Sequence, residues 1–274
     1  VKPPWNHPSR SSSWRRGFRW WLASLCFLAV PSGARAQGGP PLLTNDPGTP
    51  GNGDWEINLG VMQVLRQHQD VLQIPQIDLN FGLGDRIQLT YEVPYVLQRE
   101  PGQPVQTGWG NAFPGVKWRF LDNKGGWNAS IFPQLEPPGL GAAIKPGIAT
   151  SGTRFLLPVE VTKTVGPVNL DFEAGYYFPW HSRQERIIGF AAGHQVTPKL
   201  EIVGEFYNDY AMGALPHDTT FDAGGRYKFH KGLLLLFMAG RSLSGNSSGQ
   251  PEFMGYVGVQ FLLEKYGKEL QADP

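Results

Sequence analysis

From Trp55 onward the sequence repeats a period of two: apolar and polar side chains alternate through stretch after stretch, and the connections between stretches run short, then long, then short again. Period two is the signature of a β-strand, because successive side chains point to opposite faces. A chain built from such strands must place one face in an apolar medium and the other in a polar one. Only two architectures do this throughout. A soluble sandwich or barrel turns the apolar faces inward, and a closed membrane barrel turns them toward lipid and leaves no unpaired edge.

The alternation is explicit in the first three stretches. Trp55, Ile57, Leu59 and Val61 share a face opposite Glu56, Asn58 and Gly60; Ile77, Leu79, Phe81 and Leu83 lie opposite Gln76, Asp78 and Asn80. Ile87, Leu89, Tyr91, Val93 and Tyr95 lie opposite Gln88, Thr90 and Glu92. The same rhythm recurs around Val116–Phe120, Trp127–Glu136, Arg154–Thr162, Asn169–Tyr176, Leu200–Phe206 and Thr220–Phe229. It is weaker in Arg186–Val196, Leu233–Arg241 and Phe253–Leu263, and Leu233–Met238 is apolar on both faces.

Charges settle the choice between the two architectures. The polar face carries ionised side chains on nearly every strand. Aromatic residues gather near strand ends (Trp118, Phe120, Tyr176, Phe178, Tyr227, Phe229), as in the girdles of membrane barrels. Tight turns such as Gly82–Asp85, Asp122–Gly125, Val165–Pro167, Thr197–Pro198 and His230–Gly232 alternate with long segments such as Arg99–Gly110, Pro137–Thr153, Asp209–His217 and Ser242–Pro251. The expected fold is all-β: a transmembrane antiparallel up-and-down barrel of 12 strands. The weak eighth and eleventh stretches leave 10 or 14 open. Short turns then face the periplasm and long loops the exterior.

The flanks read differently. Arg10, Arg15, Arg16 and Arg19 precede an apolar run from Trp20 to Val30, and Ala34-Arg35-Ala36 is an A-x-A cleavage site, so residues 1–36 read as a cleaved signal peptide. Eleven apolar residues fall short of the roughly 20 needed for a spanning helix. Six of the 24 Lys and Arg residues, and none of the 23 Asp and Glu, lie in that segment, leaving a net −5 beyond it and no argument for nucleic acid. The only cysteine, Cys26, is there too, so the remainder has none for a disulfide or metal. Residues 37–54 form a Gly/Pro-rich periplasmic N-terminal segment, either a short plug in the barrel mouth or a loose arm. Residues 55–263 form the barrel, and 264–274 a charged C-terminal tail.

On this parity the inward carboxylates are Glu56, Asp78, Glu92, Glu136, Glu160, Asp171, Glu173, Glu201, Glu205 and Asp222. The inward cations are Arg66, Lys117, Arg119, Arg154, Arg226 and Lys228. A charge facing lipid costs about 2–4 kcal/mol at the midplane, which fixes them inside. The lumen-lining candidates are Glu92, Lys117, Arg119, Glu136, Glu160, Asp171, Glu173, Glu201, Glu205, Asp222 and Arg226. Their acidic excess favours cations or neutral polar solutes over anions. The loop holding Ile144 and Ile148 offers an apolar surface at the outer mouth. Catalysis finds little support: His181-Ser182 lacks an acidic orienter, His217-Asp218 is a loop pair, and His194 has lipid-facing parity. No His, Asp or Glu group has metal-ligand spacing, and no cofactor is implied.

A set of ordered motifs runs through the chain: Pro41-Leu42-Leu43-Thr44-Asn45-Asp46-Pro47-Gly48-Thr49, Trp55-Glu56-Ile57, Glu92-Val93-Pro94-Tyr95, Gly108-Trp109-Gly110-Asn111 and Lys117-Trp118-Arg119-Phe120. Gln195-Val196-Thr197, Gly225-Arg226-Tyr227 and Ala239-Gly240-Arg241-Ser242-Leu243 follow. Together they resemble the outer-membrane transporter family of the phenol-degradation meta pathway. Asn45 and Asn111 stand where that pattern has acidic residues. The resemblance implies passage of small compounds, aromatic ones among them. Tyr256-x-Gly258-x-x-Phe261-x-Leu263 also resembles the signal read by barrel-assembly machinery, although Glu264–Pro274 continues past it.

The expected function is a bacterial outer-membrane channel passing small solutes by passive diffusion through a narrow, net-acidic lumen, in a monomer surrounded by membrane lipid and lipopolysaccharide. A structural or surface-interaction barrel with a filled lumen is the alternative, and an outer-membrane hydrolase a more distant one.

Overall fold

The computed structural model describes residues 39–123, 125–139, 148–179, 185–211, 218–244 and 249–264. The signal segment, Lys124, Ile144, His181, His217 and the tail beyond Glu264 lie outside the described residues.

Among the described residues there are twelve antiparallel strands: β1 (Trp55–Arg66), β2 (Gln69–Leu83), β3 (Ile87–Arg99), β4 in two pieces (Gln106–Trp109 and Phe113–Asp122) and β5 in two pieces (Trp127–Ile131 and Gln134–Glu136). They continue with β6 (Arg154–Val165), β7 (Val168–Pro179), β8 (Glu185–Thr197), β9 (Leu200–Ala211), β10 (Asp218–His230), β11 (Leu233–Ser242) and β12 (Phe253–Leu263). The split strands are single strands because both pieces of β4 pair with β3, and both pieces of β5 pair with β6. The segment Gln106–Trp109 falls where the sequence pattern predicts loop; Gly108, Gly110 and Pro104 hide its alternation.

Each strand pairs with its sequence neighbours, and the sheet closes where β1 meets β12, in register from Trp55↔Leu263 to Leu65↔Phe253. Closure satisfies the backbone groups that an open edge would leave in hydrocarbon. One irregularity lies in β2, where the register shifts between Gln73 and Gln76 around Ile74-Pro75; a proline, lacking an N–H, is tolerated at such a bulge.

Exposure follows the two-residue rhythm. Leu89, Phe172, Phe206 and Val257 are exposed on the outer face, while Asn58, Asp78, Glu160, Glu173 and Glu205 are buried within. Outward aromatics two residues apart meet edge-on at both ends of the sheet: Trp118–Phe120 at 5.9 Å and Tyr227–Phe229 at 5.4 Å near short turns, Tyr176–Phe178 at 4.8 Å near a long loop. No helix among the described residues is long and apolar enough to cross a membrane, so the crossing is made by strands.

Candidate functional site

The site is the barrel interior, and the first thing in it is the chain itself. Pro40, Pro41, Pro47, Pro50 and the glycines among them deny residues 39–54 a regular helix or ladder. Some of their backbone groups bond to one another, as Gly39 N–H does to Thr44 O at 3.0 Å, and others find side-chain partners on the wall. The Glu205 carboxylate accepts Leu43 N–H at 2.9 Å and Thr44 N–H at 2.6 Å. Glu173 accepts Asn45 N–H at 2.9 Å and the Asn45 side-chain amide at 3.3 Å. In the opposite sense, Lys117 Nζ donates to Asp46 O at 2.5 Å, and Arg226 Nη2 donates to Gly39 O at 3.3 Å. These are charge-assisted bonds, about twice as strong as neutral ones.

Shape completes the fit. Thr44 and Pro47 are fully buried, and Leu42 packs on Ala191 of β8 and Val203 of β9. The wall opposite Thr44 is Gly189, where a Cβ would stand 2.3 Å from Thr44 Oγ1. At the root of the segment, Gly53 N donates to Gly82 O at 2.8 Å and Gly82 N to Asp54 O at 3.0 Å. A Cβ on Gly82 would lie 1.6 Å from Gly51 O, so only glycine admits this backbone-to-backbone contact. The Asn45 that departs from the family pattern thus caps Glu173. The Asn111 departure ties a loop: its Nδ2 donates to Pro137 O and Thr150 Oγ1, each at 2.9 Å, while its Oδ1 accepts Thr150 N–H at 2.8 Å. Ile148 in the same loop is buried.

Ion pairs organise the wall behind the segment. Lys117 lies 3.3 Å from Glu160, which also accepts Ser130 Oγ–H at 2.5 Å. Arg154 bridges Glu136 at 2.6 Å and Glu185 at 2.7 Å, and Arg226 meets Glu201 at 3.2 Å. Asp171 accepts Thr162 Oγ1–H at 2.5 Å. Asp222 is fully buried beside its cross-strand neighbour Glu205, with neither oxygen meeting a donor.

Between the segment and the β1–β5 wall a cavity of about 540 Å³ remains. Glu56, Asp78 and Glu92 border it on one arc, Lys117 and Arg119 on β4, with Asn80, Gln88, Thr90, Phe132 and Gln134 between. Of the eleven residues selected from the sequence, Glu92, Lys117 and Arg119 border this space. The others face inward away from it: Glu173, Glu205 and Arg226 hold the segment, Glu160 pairs with Lys117, Glu201 with Arg226 and Glu136 with Arg154, Asp171 accepts from Thr162, and Asp222 lies beside Glu205. Arg119 turns toward the short-turn end, donating to Asp85 O at 2.5 Å.

Sequence parity missed one feature. Met62, Val64, Leu234, Leu236, Met238, Met254 and Tyr256 form an apolar cluster on the inner face of β1, β11 and β12, with Leu43 of the segment packed against it. The signal was present in Leu233–Met238, apolar on both faces because both faces of β11 meet apolar surroundings. The described histidines carry no such organisation. His194 Nδ1 lies 3.0 Å from Pro167 O, and His230 Nδ1 lies 2.7 Å from Lys231 O. Among the described residues, no group of three or more His, Cys, Asp or Glu could hold a metal ion.

The family model described as "Putative MetA-pathway of phenol degradation" matches residues 38–261, the lumenal segment and all twelve strands. The chain belongs to this family. Among solved structures, the COG4313 outer membrane channel from Pseudomonas putida F1 is similar, with a TM-score of 0.62 at 14% identity over 83% of this chain and 100% of that one. The KdgM porin (TM-score 0.52, 13% identity, 75% of this chain and 98% of that one) and the NanC porin (0.52, 9%, 76% and 98%) share the architecture. At these identities the likeness concerns fold. No curated protein matches the chain. An apolar outer belt on a closed porin-like barrel places the protein in the bacterial outer membrane.

Proposed function

We propose that the protein is an outer-membrane channel that passes small solutes by passive diffusion, with the space between the lumenal segment and the β1–β5 wall as its path. The observation that carries this reading is the cavity of about 540 Å³ lined by carboxyl, basic and amide side chains inside a lipid-facing barrel. A barrel serving only as a structural scaffold has no need of such a space. Carboxylates outnumber cations along it, so cations and neutral polar solutes pass in preference to anions. Export uses residues 1–36 as the signal, the short turns lie in the periplasm, and the last strand guides assembly. Reversal potentials in planar bilayers under a salt gradient test this: the expected result is cation preference, and anion preference or absence of conductance overturns it.

A second reading concerns solute class. The apolar cluster around Leu236, Met238 and Tyr256 lies on the inner face of the barrel, buried with Leu43 of the segment packed against it, where a purely hydrophilic pore would carry polar groups. With Phe132 on the cavity itself, it favours solutes with an aromatic or alkyl portion, in keeping with the phenol-degradation description of the family. Liposome swelling with sugars, aromatic acids and alkylphenols separates the two, since faster entry of alkylphenols than of sugars of similar size supports the apolar class.

A further inference from the structure

We propose that the acidic arc on β1, β2 and β3, completed by Gln260 of β12, is a binding site for a small primary ammonium group. The inference rests on the channel reading and deepens it by naming the class of solute that the cavity holds.

The residues meet in one rung of the sheet. Gln260 pairs with Asn58, Asn58 with Asp78, and Asp78 with Glu92, each in direct cross-strand register, and all four side chains point inward. Glu56 lies two residues below Asn58 on the same face. Asn58 Nδ2 donates to Asp78 Oδ2 at 2.8 Å and to Glu56 Oε1 at 3.2 Å, so its amide sits within the carboxylate cluster. Gln76 and Asn80 supply neutral donors to Glu92 and Asp78 at 2.8 to 3.1 Å.

Two observations separate this arc from the salt-bridged wall elsewhere. First, its three carboxylates are met by amides, whereas Lys117, two strands on from Asp78, is held by Glu160 and the Asp46 carbonyl. Second, Asn58 and Gln260, 1% and 2% exposed, each present a buried side-chain carbonyl oxygen with no donor. Buried acceptors are normally matched, and buried charge is normally paired with opposite charge. Three carboxyl groups, with two unmatched carbonyl oxygens on paired positions of the same rung, describe the complement of a cation with several N–H donors. A primary ammonium carries three. Glu56, Asp78 and Glu92 border the cavity, so the arc is open to a solute there. Phe132, with Lys117 Nζ 4.7 Å from its ring centroid, borders the same cavity and is the aromatic group there for the remainder of an arylalkyl amine.

Titration calorimetry of the detergent-solubilised full chain tests the site with three ligands of matched shape: 2-phenylethylammonium, 2-phenylethanol and 3-phenylpropionate. The ammonium should bind about tenfold or more tightly than the alcohol and the carboxylate, and Asp78→Asn or Glu92→Gln should each weaken it about tenfold while leaving the alcohol unchanged. Equal binding of ammonium and alcohol to the unaltered protein overturns the proposal whatever the variants do. So does ammonium binding that survives both substitutions in barrels that retain heat-modifiable migration. Conductance measured alongside keeps the two readings apart. Conductance with cation preference but no ammonium binding defeats the site alone; binding without conductance defeats the channel and leaves the site.

Discussion

One Glu205 carboxylate secures the backbone of a residue 161 positions earlier, Oε2 accepting Thr44 N–H at 2.6 Å while Oε1 takes the Leu43 N–H. Charge-assisted bonds of this kind contribute about 1.5–3 kcal/mol each. Glu205→Ala removes both and leaves two N–H groups of the segment unmatched. Larger and noisier single-channel conductance is the expected outcome in planar bilayers, with the barrel still folded. A conductance identical to the unaltered protein would show that the segment is held without this carboxylate.

Gly189→Val tests the same relationship by bulk rather than charge. Its Cβ would come within 2.3 Å of Thr44 Oγ1 and 3.0 Å of Thr44 Cβ, so the segment must move out of register with the wall. Conductance rises in Gly189→Val and returns toward the original level in Gly189→Val/Thr44→Gly, where the obstructing side chain is gone. Failure of the second substitution to restore it would place the effect elsewhere.

Lys117→Met strands Glu160, which is fully buried and otherwise accepts a hydrogen bond from the Ser130 hydroxyl. Breaking a buried pair from one side costs about 3–5 kcal/mol. The unfolding midpoint read by heat-modifiable migration on gels should fall. Lys117→Met/Glu160→Gln should recover most of it, because the second change removes the uncompensated charge.

Phe172 and Glu173 are sequence neighbours with opposite surroundings, one exposed on the outer face and one buried in the lumen. Phe172→Arg places a charge against lipid at a cost of about 2–4 kcal/mol near the midplane. Reduced yield of folded barrel in vesicles is expected for Phe172→Arg. An arginine tolerated there without loss would contradict the outward assignment of the β7 apolar face.

The strands were legible because lipid and lumen impose opposite chemistry on alternate residues, and nothing else writes a period of two so plainly into β1, β2 and β3. That rule lost its grip in two places. At Gln106–Trp109 the strand is short and glycine-bearing, so too few side chains record which way they point. In β11 the inner face meets Tyr256 and Met254 instead of water, which erases the contrast between Leu234 and its neighbours. The inward charges were readable one strand at a time, but their partners were not. Glu173 and Glu205 look like pore lining until Asn45 and Thr44 are seen against them, and an irregular backbone carries no period from which that contact could be inferred.

The seam at Trp55↔Leu263 joins the first and last strands of the sheet, about 200 residues apart in the chain, which makes it the pairing that costs most in loop-closure entropy. Residues 39–54 lie inside the barrel that this pairing closes. The closed sheet is thus wrapped around its own beginning, with Glu205 on the wall gripping Leu43 and Thr44 as rolled metal grips a mandrel. Variants that weaken the grip should slow closure as well as widen the finished pore, a coupling of biogenesis to permeability that follows from where the first and last strands meet.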